Sequence, residues 1–237
     1  MSEAAVIDWA GERVALRCER ALHLPAHDTL LLADLHLGKG RAFRQQGLPV
    51  PAGSTDDMLA RLEALLAAVP ARRLFFLGDL LHSRHAQGSA ALAAFARWRA
   101  RHPALALTLV RGNHDDHAGD PPADLGIDVV DEPARLGGLA LCHHPQPPPA
   151  GALGCVAGHL HPALSLHGRA DDHLRLACFH LAARTLVLPA FGAFTGMASL
   201  QRSAGDRAWV IADGAVREVS AAPGMLRRSR RAPTMGS

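Results

Sequence analysis

Residues 29–37 read TLLLADLHL, and this stretch decides how the chain folds. Its apolar run is typical of a strand buried on both faces, and the run ends in Asp34 and His36. Four later clusters of polar residues also follow apolar runs, directly or closely. They are Gly78-Asp79, Gly112-Asn113-His114-Asp115, Cys142-His143-His144 and Gly158-His159-Leu160-His161. The sequence therefore predicts strands that end in chemically reactive side chains.

The elements around the first three clusters predict a parallel α/β unit. Helices that begin near Ser54 and at Ser89 separate the three predicted strands, which are Thr29–Leu37, Leu74–Leu77 and Leu105–Val110. We expect Ser54 or Thr55 to cap the first helix, and a loop to cover residues 38–53. In such sheets ligands bind beyond the carboxyl ends of the strands, so these clusters should share one site.

The second half of the chain predicts a mostly antiparallel sheet that packs on the first and contributes His143, His159 and His161. Its strands are short and are separated by Gly/Pro turns; Ala134–Cys142 and Ala208–Val219 are each predicted as one strand. Residues 5–24 predict a hairpin that leads into the fold. We expect a single domain over residues 1–222 and a basic, disordered tail over 223–237, which contains Arg227, Arg228, Arg230 and Arg231.

Composition limits the class of protein. The chain has 237 residues, 49% of them hydrophobic, which suits one compact enzyme domain and excludes a fibrous or disordered chain. Its apolar runs are too short to span a bilayer, and Met1 to Asp8 do not resemble a signal peptide. The four cysteines lack any CxxC spacing, which favours a reduced, cytoplasmic protein. A net charge of +3 is by itself a weak indication of nucleic-acid binding.

The five clusters offer carboxylate and amide oxygens and imidazole nitrogens, and none depends on thiolate. This set suits a pair of divalent ions such as Mn²⁺, Fe²⁺ or Zn²⁺. Asp34 and His36 lie two residues apart on a strand end, so their side chains should share one direction, as should those of His159 and His161. Asp79 could bridge two ions through its two oxygens. Because a two-metal site clamps the attacking and leaving oxygens of a phosphoryl centre, the sequence predicts metal-assisted phosphoester hydrolysis.

Taken singly, the clusters have ordinary explanations. Asp34 and His36 could be a helix cap and a surface histidine, and the segment around Asn113 could be a structural turn. It is the order of all five that resembles the calcineurin-like metallophosphoesterase superfamily, whose pattern is DxH, GD, GNH(D/E), H and GHxH. The resemblance runs from about Thr29 to His161. It implies an α/β fold, a four-layer α/β/β/α sandwich of two mixed sheets.

The same resemblance implies the roles of individual residues. One metal would be held by Asp34, His36, Asp79 and His161, and the second by Asp79, Asn113, His143 and His159. His114 would contact the phosphate and protonate the leaving oxygen, paired with Asp34 or Asp115, while a hydroxide between the two ions attacks. His82, Asp115 and His144 are expected to orient the ligands without binding a metal themselves.

A narrower resemblance rests on residues 34–51, DLHLGKGRAFRQQGLPVP, and on residues 189–196, PAFGAFTG. Both look like the bacterial ligase-associated DNA damage response endonuclease family, PdeM, although Met197 stands where that family more often has Gly. The resemblance implies a cytoplasmic, manganese-dependent endonuclease that cuts single-stranded DNA in DNA repair. It also implies a functional association with a DNA ligase, a helicase and an exonuclease.

Basic residues follow the first cluster directly. Lys39, Arg41 and Arg44 are predicted to hold the phosphates that flank the scissile one; the alternative is that they form salt bridges that lock the loop. Phe191 and Phe194 could stack on a base or pack in the core.

Three other functions compete with the nuclease prediction. The first is a small-molecule phosphodiesterase of the same fold, acting on a cyclic nucleotide or a nucleotide-sugar lipid pyrophosphate; an apolar lid, which the lipid substrate would require, is not visible in the sequence. The second is a non-catalytic scaffold, which the complete set of ligand positions and His114 disfavours. The third is a structural zinc protein, which the cysteine spacing disfavours.

Overall fold

A computed structural model of the chain describes residues 3–51, 53–167 and 173–220. The four arginines of the predicted tail lie outside the described residues. Within the described part, the strands form two sheets, one of seven and one of nine strands.

The first sheet has the strand order β1-β2-β3-β4-β5-β6-β7. Its strands are β1 (Ala5–Trp9), β2 (Glu12–Arg17), β3 (Ala21–Leu24), β4 (Thr29–Leu32), β5 (Arg73–Leu77), β6 (Ala106–Val110) and β7 (Ile127–Val130). Pairing is antiparallel from β1 to β4 and parallel from β4 to β7, so the sheet is mixed. Helices lie between the parallel strands and after β6: α1 (Lys39–Gln45), α2 (Ser54–Ala68), α3 (Ala90–Arg101) and α4 (Asn113–Ala118).

The second sheet has the order β14-β11-β12-β13-β10-β9-β8, and β15 and β16 are attached through β12. Its strands are β8 (Ala134–Leu136), β9 (Leu139–Leu141), β10 (Gly154–Ala157), β11 (Pro162–His167), β12 (His173–Ala182), β13 (Thr185–Val187), β14 (Ala198–Ser199), β15 (Arg207–Ala212) and β16 (Ala215–Val219). Both parallel and antiparallel pairs occur, with β10 parallel to its two neighbours β9 and β13.

The strand-final clusters are held in place by strands that are buried on both faces. In β4, Leu30 and Leu32 pack into one apolar cluster with α2 and α3, while Leu31 packs into a second cluster between the two sheets. Phe75 and Phe76 of β5 alternate in the same way. Successive side chains of a strand point to opposite faces, so a continuous apolar run fills both layers.

The α/β class with two mixed sheets, predicted from the resemblance, is confirmed. The structure also shows which elements lie against each sheet, which the prediction did not state. In the ranges that the structure describes, helices α2 and α3 cover the first sheet. In the second sheet, a small buried cluster is formed by Ala140, Cys142, Ala152, Cys155 and Ala157, and Gln146 of the Pro-rich segment 145–149 donates to Sγ of Cys142 (3.3 Å).

Several local predictions are wrong. The first metal-type cluster lies beyond its strand, because β4 ends at Leu32, and the expected loop 38–53 contains helix α1. The N-cap of α2 is Gly53 in a left-handed conformation, and neither Ser54 nor Thr55 caps the helix. The two long strands predicted in the second half are hairpins, since glycine-containing turns divide each into two strands.

Candidate metal centre

The first candidate ligands are placed by two loops that run side by side. After β4 and β5 end, the chain segments continue to pair: the amide of Asp34 donates to the carbonyl of Gly78 (3.2 Å), and that of His36 donates to Asp79 (2.8 Å). The amide of His82 then donates back to Leu37 (3.0 Å). This ladder holds Asp34, His36 and Asp79 at one edge of the sheet, as the parallel topology requires.

Strained backbone is concentrated at these positions. Five of the seven candidate ligands have a positive φ: Asp34 (56°), His36 (49°), Asp79 (53°), His159 (70°) and His161 (47°). The prediction that strand spacing aligns Asp34 with His36, and His159 with His161, is wrong in its reason, because these residues are left-handed and do not continue a strand; Asp34 and His36 nevertheless share one donor group. Left-handed residues turn the chain sharply, and this is what brings the side chains together. Such strain persists where the surrounding structure enforces it, which is common at functional sites.

Gly78 shows why glycine precedes a ligand. A Cβ at this position would overlap the ring of His143, which approaches from the second sheet. The two sheets can bring their ligands together only because the side chain is absent here.

One group of metal-type donors contains Asp34, His36 and His161, whose ligand atoms lie within 4.8 Å of one another. Asp34 is fully buried, and its Oδ1 lies 3.4 Å from Nε2 of His161. Nδ1 of His161 is 2.7 Å from the carbonyl of Thr195, so that nitrogen donates and Nε2 keeps its lone pair. Burial, and then the neighbouring Lys39, lowers the pKa of His36 to about 2, which keeps its ring neutral and able to bind a metal.

A second group centres on His143. It is fully buried, and its Nδ1 lies 3.1 Å from the carbonyl of Leu77, which leaves Nε2 as the free nitrogen. That Nε2 lies 2.9 Å from Oδ1 of Asn113, 3.0 Å from Nδ1 of His159 and 3.5 Å from Oδ1 of Asp79. Four groups therefore direct donor atoms at one small volume from both sheets.

Several of these donor atoms have no hydrogen-bond partner within the described part of the protein, as expected for atoms that bind a divalent cation. Both ring nitrogens of His36 and Nε2 of His161 are buried without a hydrogen-bond partner. Buried polar atoms are almost always satisfied, so unpartnered imidazole nitrogens beside the carboxylates of Asp34 and Asp79 are placed where a divalent cation could bind. The donor set is nitrogen and oxygen, which suits Mn²⁺, Fe²⁺ or Zn²⁺.

His114 lies at the edge of this group, and its side chain is 38% exposed. Its Nδ1 is 2.9 Å from the carbonyl of His82, and its Nε2 is 4.0 Å from Oδ2 of Asp79. The expected pairing of His114 with Asp34 or Asp115 is therefore wrong. His82 orients it instead, through its carbonyl and through its ring, which stacks on that of His114 at 5.3 Å.

Asp115 has a structural role. It is buried and accepts hydrogen bonds from the amides of Asp79 (2.7 Å), Gly112 (3.0 Å) and Leu81 (3.1 Å). Burial raises its pKa to about 6, although these three amides act against that shift. Asp115 thus fixes the backbone on which Asp79 is carried and does not touch the ring of His114.

Glu132 is a supporting residue that the sequence did not reveal. Its Oε2 accepts the amides of His143 (2.6 Å) and His144 (2.9 Å), and its Oε1 lies 2.7 Å from Nδ1 of His144. Burial pushes its pKa upward, but the hydrogen bonds from His144 and His143 outweigh burial and lower the pKa below its ordinary value. His144 is half-exposed, and its ring lies 4.6 Å from that of His159.

The three predicted substrate-binding residues lie on α1. Burial lowers the pKa of Lys39, and the nearby carboxylates of Asp79 and Asp34 oppose this shift, so Lys39 lies close to the site. Arg44 donates to the carbonyl of Pro51 (3.2 Å), which holds the loop, while Arg41 is exposed and makes no ion pair within residues 3–51, 53–167 and 173–220. Both arginines line a cavity of about 240 Å³, together with Arg97 of α3.

Residues 28–177 match the family model described as calcineurin-like phosphoesterase. The chain belongs to the calcineurin-like phosphoesterase family. It is accordingly a metal-dependent phosphoesterase, and the Asp and His groups described above could hold its divalent ions. No curated protein matches the sequence significantly.

A solved structure extends this family assignment over most of the chain. The Pseudomonas putida nuclease MPE is 40% identical, with a TM-score of 0.80, and the match covers 92% of this chain and 100% of that one. This agrees with the narrower resemblance drawn from residues 34–51 and 189–196. The phosphoesterase YfcE of E. coli is 16% identical over 81% of this chain and 97% of its own, with a TM-score of 0.42, and adds nothing to the assignment.

None of the helices among the described residues is long and apolar enough to cross a membrane.

Proposed function

We propose that this protein is a binuclear-metal phosphodiesterase that cuts single-stranded DNA as an endonuclease, with Mn²⁺ as its metal. The observation that carries the proposal is the pair of donor groups joined by Asp34 and Asp79, with the cationic helix α1 beside them. The similarity to a nuclease over 92% of the chain supports a nucleic-acid substrate.

In this proposal Asp34, His36, Asp79 and His161 hold one ion, and Asp79, Asn113, His143 and His159 hold the other. When bound, the two ions supply Lewis-acid activation of the phosphoryl group and of the attacking water. Asp79 would be a ligand of both ions; this is supported by its Oδ2, which lies 3.5 Å from Nε2 of His36, and by its Oδ1, which lies 3.5 Å from Nε2 of His143.

His114 acts as the general acid. The carbonyl of His82 holds its Nδ1 proton and so fixes the ring, which leaves Nε2 to face the site and pass a proton to the leaving oxygen. Its partial exposure allows a substrate to reach it, unlike the buried ring of His143.

The basic residues of α1 extend the site from one phosphate to a strand. Lys39 lies next to the donor groups, and Arg41 and Arg44 follow along the helix and line the adjacent cavity. Such residues neutralise flanking phosphates without reading sequence. We place the protein in the cytoplasm, because its four cysteines are free thiols, and propose that it acts in DNA repair alongside a ligase, a helicase and an exonuclease.

The test is a Mn²⁺-dependent cleavage assay on circular single-stranded DNA, with bis-p-nitrophenyl phosphate and p-nitrophenyl phosphate as small substrates. We expect the circle to be cut, and Asp79→Asn to be inactive. If the small diester is hydrolysed but the circle stays intact, the substrate is a cyclic nucleotide or a nucleotide-sugar lipid pyrophosphate and the endonuclease proposal fails.

A further inference from the structure

Three large apolar side chains are exposed where the metal centre borders the second sheet. They are Leu160 (45% exposed), Phe194 (40%) and Met197 (42%), and we call them the apolar rim. The two segments that contain them, residues 158–161 and 192–199, have no carboxylate and no Lys or Arg of their own, and the exposed Arg175 donates to the carbonyl of Met197. The three apolar side chains therefore offer contact to an uncharged, flat group and carry no charge for a phosphate.

Backbone contacts tie the apolar rim to the metal centre. Leu160 lies between His159 and His161 in the chain. Phe194 directly precedes Thr195, whose carbonyl receives Nδ1 of His161 (2.7 Å), and the amide of Ala198 donates to the carbonyl of His161 (3.0 Å). A group bound on the rim would thus lie next to whatever occupies the metal centre.

The two aromatic residues of the loop have different environments. Phe191 is fully buried, contacts the guanidinium of Arg61 at 4.4 Å from its ring centroid, and belongs to the core that includes α2. Phe194 is exposed and has a φ of 58°, a left-handed conformation that is unfavourable for an aromatic residue. An exposed aromatic ring held on a strained backbone beside a metal centre calls for a binding role.

We propose that the apolar rim, with Phe194 as its main contact, binds an unpaired nucleobase of the strand whose phosphate is cleaved. The inference rests on the proposed function and adds the reason for a single-strand preference. Stacking on an aromatic ring requires a free base face, which a base inside a duplex does not offer. The cationic residues on α1 hold the phosphates of the same strand, and the uncharged rim holds a base.

The test compares wild type, Phe194→Ala and Phe194→Trp on a thymidine oligonucleotide and on the same oligonucleotide with a central run of abasic residues. Methyl p-nitrophenyl phosphate, a diester without a base, reports on the metal centre. Val6→Ala is the matched control, since Val6 is an exposed apolar residue (52%) on the outer strand β1. We expect Phe194→Ala to lose about 5- to 150-fold in kcat/KM on the thymidine strand, and Phe194→Trp to retain activity.

On the abasic strand and on the methyl diester, Phe194→Ala should have the same kcat/KM as wild type. Equal cleavage of the thymidine strand by Phe194→Ala and wild type would overturn the inference. An equal loss on the methyl diester would overturn it too, because the change would then act through Thr195 and His161.

Inhibition of methyl diester hydrolysis by the thymidine oligonucleotide separates this inference from the proposed function. One outcome is that wild type cuts no DNA, the oligonucleotide still inhibits methyl diester hydrolysis, and Phe194→Ala weakens that inhibition. The base site then stands and the endonuclease proposal fails. Inhibition that is the same for thymidine and abasic strands contradicts the base site alone.

Discussion

The Nδ1 atom of His161 lies 2.7 Å from the carbonyl oxygen of Thr195, and this contact explains why a segment without ligands is part of the site. The loop that contains Thr195 is anchored at its start, where Phe191 donates to the carbonyl of Ala33 (2.7 Å) and Gly192 to that of Asp34 (3.0 Å). The guanidinium of Arg61 donates to the Phe191 carbonyl. Residues 189–196 thus connect His161 to the backbone of Asp34.

Gly192→Ala should weaken metal binding, because a Cβ at this position would overlap the carbonyl of Leu35, between Asp34 and His36. Displaced supporting contacts typically reduce metal affinity about 10- to 100-fold. Metal content after dialysis against a weak chelator checks this. Gly214→Ala is the control for backbone strain without overlap: Gly214 has a φ of 72°, which an alanine rarely adopts, but no atom of the described residues lies within 4 Å of the added Cβ. Equal metal loss in both variants would show general instability instead.

Asp79→Asn should abolish hydrolysis of every substrate, by more than about 100-fold, because both donor groups depend on its carboxylate. The amide can still accept from the backbone of His114, as Oδ1 of Asp79 does (3.0 Å), so the fold should survive. Activity on bis-p-nitrophenyl phosphate and metal content are measured together. Asp116→Asn, an exposed carboxylate nearby, should stay active; retained activity of Asp79→Asn would refute the bridging role.

His114→Gln should reduce turnover about 100- to 10,000-fold on DNA while metal content is unchanged. With p-nitrophenolate as the leaving group the loss should be much smaller, since that group needs little protonation. Steady-state rates on the two substrates, with metal analysis, check this. A loss of metal would identify His114 as a ligand, and equal losses on the two substrates would exclude a general-acid role.

Arg41→Ala should weaken cleavage of single-stranded DNA more than hydrolysis of bis-p-nitrophenyl phosphate. The affinity for DNA should fall, and the slope of log K against log salt should decrease by about 0.7, as expected for one lost phosphate contact on a single strand. Binding titrations over a range of salt concentrations measure this slope. Arg13→Ala, on β2, should leave it unchanged; equal losses on both substrates would favour a loop-locking role.

Glu132→Gln should lower the affinity for metal about 10- to 100-fold, because the carboxylate of Glu132 accepts hydrogen bonds from the amides of His143 and His144 and from the ring of His144. Calorimetric Mn²⁺ titration of the metal-free protein measures this. The adjacent Asp131→Asn is a matched control, since Asp131 is 84% exposed and pairs only with Arg111 among the described residues. Unchanged affinity in Glu132→Gln would mean that His143 is fixed by the carbonyl of Leu77 alone.

Much of the fold could be predicted because it depends on local pattern. The apolar runs before Asp34 and Gly78 are buried on both faces, and the strand–helix alternation gave the parallel half of the first sheet. Element boundaries were less predictable. Ala134–Cys142 looks continuous in hydropathy, but Gly137 and Gly138 turn the chain there, and turns depend on backbone conformation more than on apolar content.

The sequence by itself determined the chemical types of the candidate ligands and their order, because ligand chemistry belongs to side chains. Only the tertiary structure decided which atoms face one another. His143 and His159 come from the second sheet, and their approach to Asn113 and Asp79 follows from how the two sheets pack across a shared apolar layer. The contacts that orient the rings are carbonyls of Leu77, His82 and Thr195. A carbonyl is common to every residue, so no side-chain pattern could have identified them.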